Sequence, residues 1–303
     1  MNTHQPGHPF GVSHWATTRD GRSLHYMLRT PDPQSAHGGP ANPVTVVFES
    51  GMGFSRNTWG LVSPAVRGCA RTVVYDRAGL GHSQDSSRRR ILGQLADDLS
   101  DVLTALGPGP YLLVGHSWGG PILRTLAARD DHRLVGLVLV DQSDEHWATD
   151  IRPDPVWQRT LMHWILPALA ATGLYRAFGS RLSPGRHQPP AVAKDHARED
   201  FTLRAARALV LEDRPYTQQM QRLHARSPQL GDYPVVVISG TKTTRIPVLG
   251  RLRKKLNQAH QRTAASAPNG TYVEAPASLH HVMFTDPQVI IDQIHRILGV
   301  HQS

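Results

Sequence analysis

The sequence predicts an α/β fold: a mostly parallel central sheet with helices on both faces and an inserted helical lid. Three observations lead there. Short β-branched runs alternate with stretches whose apolar residues recur at helical spacing, the pattern of parallel strands joined by crossover helices. One run, Leu134–Val140 (LVGLVLV), has no polar alternation, as a strand covered on both faces requires. From about Asp144 to Leu230 no strand pattern occurs, so the chain leaves the sheet and later returns to it.

Taken in order, Val12–Arg19 and Arg22–Arg29 read as two strands joined at Asp20-Gly21, a hairpin signal. A loop rich in proline, glycine and histidine spans Thr30–Pro43. Strands follow at Val44–Glu49, Arg71–Tyr75, Tyr111–Gly115, Leu134–Val140, Pro234–Ser239 and Thr271–Glu274. Between them, Arg89–Leu106 repeats apolar residues at helical spacing, and Pro121–Ala128, Arg251–Ala264 and Pro287–Leu298 suit helices. In the long interval, Trp157, Leu161, Trp164, Ile165, Leu169, Leu174, Tyr175 and Phe178 suggest apolar helices, and Arg181–Pro190 a basic loop. The expected organisation is a core of 1–143 and 231–303 with a lid of 144–230. Right-handed crossovers bring the carboxyl ends of the parallel strands to one edge of the sheet, where ligands bind in such folds.

At 303 residues, 39% hydrophobic and 19% charged, the chain can bury a large core and is not a disordered polymer. A single cysteine, Cys69, excludes an intrachain disulfide. The N-terminus lacks the apolar core of a signal peptide, and Leu161–Ala171 is too short to span a membrane, so a cytoplasmic protein without a membrane span is expected. Net charge is +9, with two basic clusters, Arg88–Arg90 and Arg251, Arg253, Lys254 and Lys255, both read as solvent-facing near helix starts. No zinc-finger spacing or phosphate loop accompanies them, so no nucleic acid partner is expected.

The chemistry concentrates in VGHSWGG, Val114–Gly120, directly after a strand. Gly115 and Gly119 flank Ser117 as G-x-S-x-G, a pattern that seats a nucleophilic serine on a sharp strand-to-helix turn. A serine hydroxyl is a weak nucleophile and needs a base within hydrogen-bond reach. Further motifs keep a fixed order around it: ESGMGFS (Glu49–Ser55), YDRAGLGHS (Tyr75–Ser83), LVLVDQSDEHW after the next strand, and SLHHVMFTDP (Ser278–Pro287). With these, the chain resembles the α/β-hydrolase superfamily, in its general serine-hydrolase (esterase-type) branch, from about Thr45 to Leu298.

The resemblance implies a role for each site residue. The base lies in the loop after the last strand, seven residues before the proline that opens the final helix, which gives His280, with His281 the alternative. Leu279 stands where relatives usually carry glycine. Many relatives keep the triad acid after the strand ending at Ser239, but Thr241, Thr243 and Thr244 supply no carboxylate. Other members place it one strand earlier, which gives Asp141, ahead of Asp144 and Glu145. The backbone N–H groups of Met52 and Trp118 form the oxyanion hole, and the side chains of both either line the acyl pocket or, for Trp118, pack beneath the turn. Asp76 and Arg77 are read as a structural pair bracing their loop, and Glu49 as a brace for the oxyanion loop.

The implied function is hydrolysis of an ester, thioester or amide bond of a small apolar substrate through an acyl-enzyme on Ser117, with no cofactor and no metal. Alternatives on the same fold are an acyltransferase, a cyclase or a carbon–carbon bond hydrolase. A further alternative is a non-catalytic small-molecule receptor.

Overall fold

The computed structural model describes residues 7–31, 44–66, 68–86, 89–129, 133–148 and 156–300, with only the backbone for residues 148 and 156–162. Among the described residues, eight strands form one sheet: β1 (Val12–Thr17), β2 (Ser23–Arg29), β3 (Thr45–Glu49), β4 (Arg71–Tyr75), β5 (Tyr111–His116), β6 (Leu134–Val140), β7 (Pro234–Gly240) and β8 (Asn269–Ala275). Their spatial order is β1-β2-β4-β3-β5-β6-β7-β8. β2 runs antiparallel to both its neighbours, and the pairs from β4 through β8 are parallel. The mostly parallel sheet with helices on both faces is therefore as the sequence predicts.

Among the described residues, twelve α-helices surround it: α1 (Ser63–Val66), α2 (Leu92–Leu106), α3 (Gly119–Ala127), α4 (Glu145–Ala148), α5 (Val156–Ala171), α6 (Leu174–Leu182), α7 (Pro190–Glu199), α8 (Leu203–Asp213), α9 (Tyr216–Ala225), α10 (Pro247–Ser266), α11 (Val282–Thr285) and α12 (Pro287–Leu298). Side chains alternate across the sheet, so the central strands feed two cores. Val47, Val73, Leu113, Leu137 and Val237 pack with Leu95, Leu99 and Val102 of α2 and Ile122 and Leu126 of α3. Val46, Phe48, Val114, Val138 and Ile238 pack on the other face with Ile290, Ile291 and Ile294 of α12. The unbroken apolar run of β6 is thus split between both cores, Leu137 and Leu139 to one and Val138 and Val140 to the other.

Several local expectations are revised. α10 begins at Pro247, a turn before Arg251, because proline fits the first helical turn, where its missing N–H costs nothing. α2 begins at Leu92 instead of Arg89, capped by the extended Ile91. Arg181–Pro190 is not one loop: α6 continues through Leu182, Pro184–His187 form a 3-10 turn capped by the Ser183 side chain, and Pro190 opens α7. Neither basic cluster is wholly solvent-facing. Arg90 is buried against Glu212 and the Ala78 carbonyl, and Arg253 reaches the end of β6. Arg88, most of the Thr30–Pro43 loop, the first six residues and the side chains of Trp157 and Leu161 lie outside the described residues. Among the described residues, no helix is long and apolar enough to cross a membrane.

Candidate active site

Ser117 follows the last residue of β5 and stands at φ 52°, a left-handed conformation that few non-glycine residues adopt. The flanking glycines are what make the turn possible. A Cβ on Gly115 would come within 2.9 Å of the Gly119 carbonyl carbon, and one on Gly119 within 2.7 Å of the Glu49 carbonyl oxygen. The turn is stapled by Ser117 N–H to Val140 O at 3.1 Å, and by Gly120 and Ser143 N–H to Ser117 O at 3.1 and 2.9 Å. Such a strained residue persists only because its surroundings over-determine it.

His280 lies between β8 and α11, and its Nδ1 is 2.7 Å from Asp141 Oδ2. Asp141 follows β6, is fully buried and also has a positive φ, 39°. Its carboxylate accepts from Gly240 N–H at 2.9 Å and from the Arg253 guanidinium in a two-pronged contact, 2.9 Å to Oδ2 and 2.8 Å to Oδ1. Burial works against its charge, but the hydrogen bond from His280, together with His260 and Arg253, holds the carboxyl below the usual carboxylate range. A carboxylate on Nδ1 fixes the proton there and leaves Nε2 as the basic nitrogen. His281 caps α11, its ring centroid 5.3 Å from that of His280. Asp144 is occupied by Thr263 Oγ1, Gln142 Nε2 and His146 N–H, and Glu145 by both prongs of Arg124.

His116, the last residue of β5, joins the Ser117 turn to the His280 loop. Its Nε2 is 3.0 Å from the His280 carbonyl oxygen, so the proton sits on Nε2, and its ring centroid is 4.7 Å from that of His280. Burial, with His280 and His281 close by, pushes its pKa well down and keeps it neutral. Among the described contacts, Ser117 Oγ makes no hydrogen bond to His280; without substrate such bonds are often long. The His280 loop depends on Gly240 as well, because a Cβ there would sit 1.7 Å from the Leu279 carbonyl oxygen. Arg253 Nη1 donates to that same oxygen at 2.9 Å. Sequence reasoning missed Arg253, His116 and Gly240; only the glycine at a strand end carried a local signal.

The oxyanion loop after β3 is held from behind. Arg77 donates to the carbonyl oxygens of Ser50 and Gly51, each at 2.7 Å, and pairs with Glu49 and Glu212. Asp76 and Arg77 therefore do not brace one another: Asp76 pairs with His25 and Arg56, and Arg77 with the two glutamates. Glu49 supports the loop through Arg77 and also accepts from the Tyr75 hydroxyl. Glu212, on α8, takes the Gly53 N–H at 3.1 Å and pairs with Arg90, so one buried carboxylate ties that helix to the loop. Gly53 has φ 72°, and a Cβ on it would strike Leu209 of α8 at 2.6 Å. The Trp118 side chain is fully buried, its ring 5.2 Å from Tyr216, and Met52 is half-buried against the same core.

Burial opposes the charge of Glu212, yet Arg77 and Arg90 hold its carboxyl below the ordinary value. Glu212→Gln is expected to cost about 3–5 kcal/mol at neutral pH, because Arg90 is left buried without its partner. The folded-state pKa is depressed, so this stabilisation is complete above about 4.3, the unfolded value, and fades as pH falls below it. Urea unfolding of both proteins from pH 7 to pH 3 checks this; a gap that stays constant across the range would contradict it.

Among the described residues, no group of three or more His, Cys, Asp or Glu could hold a metal ion. A strained serine at the end of a central strand and a histidine–carboxylate pair on the same sheet edge define a hydrolase-type scaffold. A sequence profile described as alpha/beta hydrolase fold matches residues 37–287, and the chain belongs to that family. It is 24% identical over 256 residues to the uncharacterized protein YqjL of Bacillus subtilis, covering 84% of this chain and 83% of that protein. Its fold matches the epoxide hydrolase CorEH (TM-score 0.69, 20% identity, 95% of this chain and 98% of that one). It also matches a thermophilic esterase from Thermogutta terrifontis (TM-score 0.64, 21% identity, 96% and 100%).

Proposed function

We propose that the protein is a cofactor-independent serine hydrolase that cleaves an ester, thioester or amide bond of a small apolar substrate. The observation that carries this reading is the 2.7 Å contact of His280 Nδ1 with the buried Asp141 carboxylate, on the sheet edge where Ser117 takes its left-handed turn. His280 Nε2 removes the proton as Ser117 Oγ attacks the carbonyl carbon. The N–H groups of Met52 and Trp118 hold the oxyanion; Met52 sits in the loop that Arg77 and Glu212 fix, and Trp118 at the N-terminal end of α3. His280 then protonates the departing alcohol, thiol or amine. Water, deprotonated by His280, attacks the acyl-enzyme, releases the acid and returns the proton to Ser117.

In this reading, α4–α9, which occupy the described chain between β6 and β7, form a cap whose α8 reaches the oxyanion loop. An acyltransferase, a cyclase or a carbon–carbon bond hydrolase would use the same serine, and analysis of the products separates them from a hydrolase. A fluorophosphonate probe should phosphonylate Ser117 Oγ with loss of fluoride, adding one adduct by intact mass and mapping to the peptide around VGHSWGG. p-Nitrophenyl esters of graded chain length should be turned over by the unlabelled protein and not by the labelled one. Turnover that survives complete labelling of Ser117 would sink the proposal.

A further inference from the structure

Beside the elbow lies a second cavity wall with a Ser–His–Asp chain of its own, outside the triad assigned above. A cavity of about 270 Å³ is lined by His116 and His281 on the core side, Phe54 from the oxyanion loop, Phe284 of α11, and Leu182 and Ser183 at the end of α6. Its volume is roughly nine times the space one water occupies in the liquid, enough for a single short chain. Ser183 Oγ is 2.8 Å from His196 Nε2, and His196 Nδ1 is 2.6 Å from Asp200 Oδ2. His196 and Asp200 are both buried, and Asp200 Oδ1 accepts the Ser55 N–H at 2.9 Å. A Cβ on Gly185 would fall 2.5 Å from His196 Nε2, so the turn after Ser183 is fitted against the ring.

The hydrogen bonds set the direction of every proton in this chain. Asp200 takes the Nδ1 proton of His196, so Nε2 is an acceptor, and the Ser183 hydroxyl donates to it. One lone pair of Ser183 Oγ accepts from Gly185 N–H at 3.1 Å. The other lone pair remains, on an oxygen polarised by a buried carboxylate two bonds away in the chain. Ser183 therefore offers an acceptor and no donor. It is not equipped as a nucleophile like Ser117: its φ is an unstrained −64°, and the Gly185 N–H is spent on Oγ instead of being free for an oxyanion.

We propose that this cavity binds the apolar chain of the substrate and that Ser183, oriented by His196 and Asp200, accepts a hydrogen bond from a neutral donor on that chain, a hydroxyl or amide N–H away from the scissile bond. The aromatic walls Phe54, Phe201 and Phe284 suit an apolar chain, and Ser183 supplies its one acceptor. This deepens the serine-hydrolase reading and rests on it for the position of the scissile bond.

The test compares methyl esters of short straight-chain acids with their ω-hydroxy counterparts. The wild type should favour the hydroxylated ester severalfold, up to about tenfold in kcat/KM, mostly through KM, as one hydrogen bond to a half-buried acceptor allows. Ser183→Ala should bring the ratio near one, and Ser183→Thr, which keeps the hydroxyl, should preserve the preference. Equal losses on both esters in Ser183→Ala would reduce Ser183 to a structural cap, and fluorophosphonate labelling of Ser183 in the Ser117→Ala protein would make it a nucleophile; either overturns the proposal. The matching methyl ketones, which cannot be cleaved, are compared by calorimetry. Tighter binding of the hydroxylated ketone with no ester turnover would keep the cavity assignment and sink the hydrolase reading. Ester turnover with no preference would do the reverse.

Discussion

Ser117→Ala is expected to lower kcat for a good ester by about 10³–10⁶, the range seen when a triad nucleophile is removed, with little change in KM. The loss is confined to chemistry because the turn does not depend on the hydroxyl. Its staples are backbone groups, Ser117 N–H to Val140 O and the Gly120 and Ser143 N–H groups to Ser117 O, and its clearance comes from Gly115 and Gly119. Alanine meets the same positive φ at a similar steric cost to serine. The variant should therefore keep the parent melting temperature and its ability to bind a non-cleavable analogue. Parent-like rates from a purified variant would show that another group performs the reaction.

Asp141→Asn is expected to have the second large effect, about 10⁴ in kcat, the figure known for the equivalent exchange in a protease triad. The asparagine amide cannot accept from His280 Nδ1–H, Gly240 N–H and both Arg253 nitrogens at once, and turning its NH₂ toward the imidazole forces the proton onto Nε2. His280 is then a donor toward Ser117 and no base. Arg253 loses its counter-charge in the same step, so some stability is lost as well, and the comparison must be made per folded molecule. Asp144→Asn and Glu145→Gln are the controls. Each breaks a buried contact, to Thr263 and to Arg124, but neither touches His280. Steady-state kinetics with active-site titration on the three variants decide it; an Asp144→Asn protein that matches Asp141→Asn in kcat would reassign the acid.

The parts of this molecule written in local patterns were readable from the sequence. β-branched runs gave the strands that pair in the sheet, and the G-x-S-x-G spacing located the tight turn, because both depend on residues adjacent in the chain. Asp141 was reachable by following a strand to its carboxyl end, since parallel strands deliver their ends to one edge. Long-range pairing was not legible. Arg253 and Arg90 looked like surface charge, and only the docking of α10 against β7 and of α8 against the β3 loop turns them inward to Asp141 and Glu212. Asp76 and Arg77 are neighbours in sequence and were read as a pair, yet their side chains diverge to different partners. Ser183 falls in a stretch read as a basic loop, and His196 and Asp200 in one read only as part of the helical insertion, where nothing in the spacing tells a capping serine from one held by a histidine and a carboxylate.

The fork between Arg253 and Asp141 has an evolutionary consequence. With the proposed acid at the end of β6, the stretch after β7 is tied to the His280 loop by main-chain bonds, Thr241 N–H to Ala275 O and Lys242 N–H to Ser278 O, which ask nothing of side-chain identity. Threonines there can drift, and insertions after them can be sampled at low cost. The constraint has moved to an epistatic pair 112 positions apart: an aspartate and an arginine, each harmful to change while the other remains. Relatives with an aspartate at the end of β6 should carry the arginine with it and vary the loop freely, and a relative with its acid after β7 should lack the pair; an alignment of such sequences checks this.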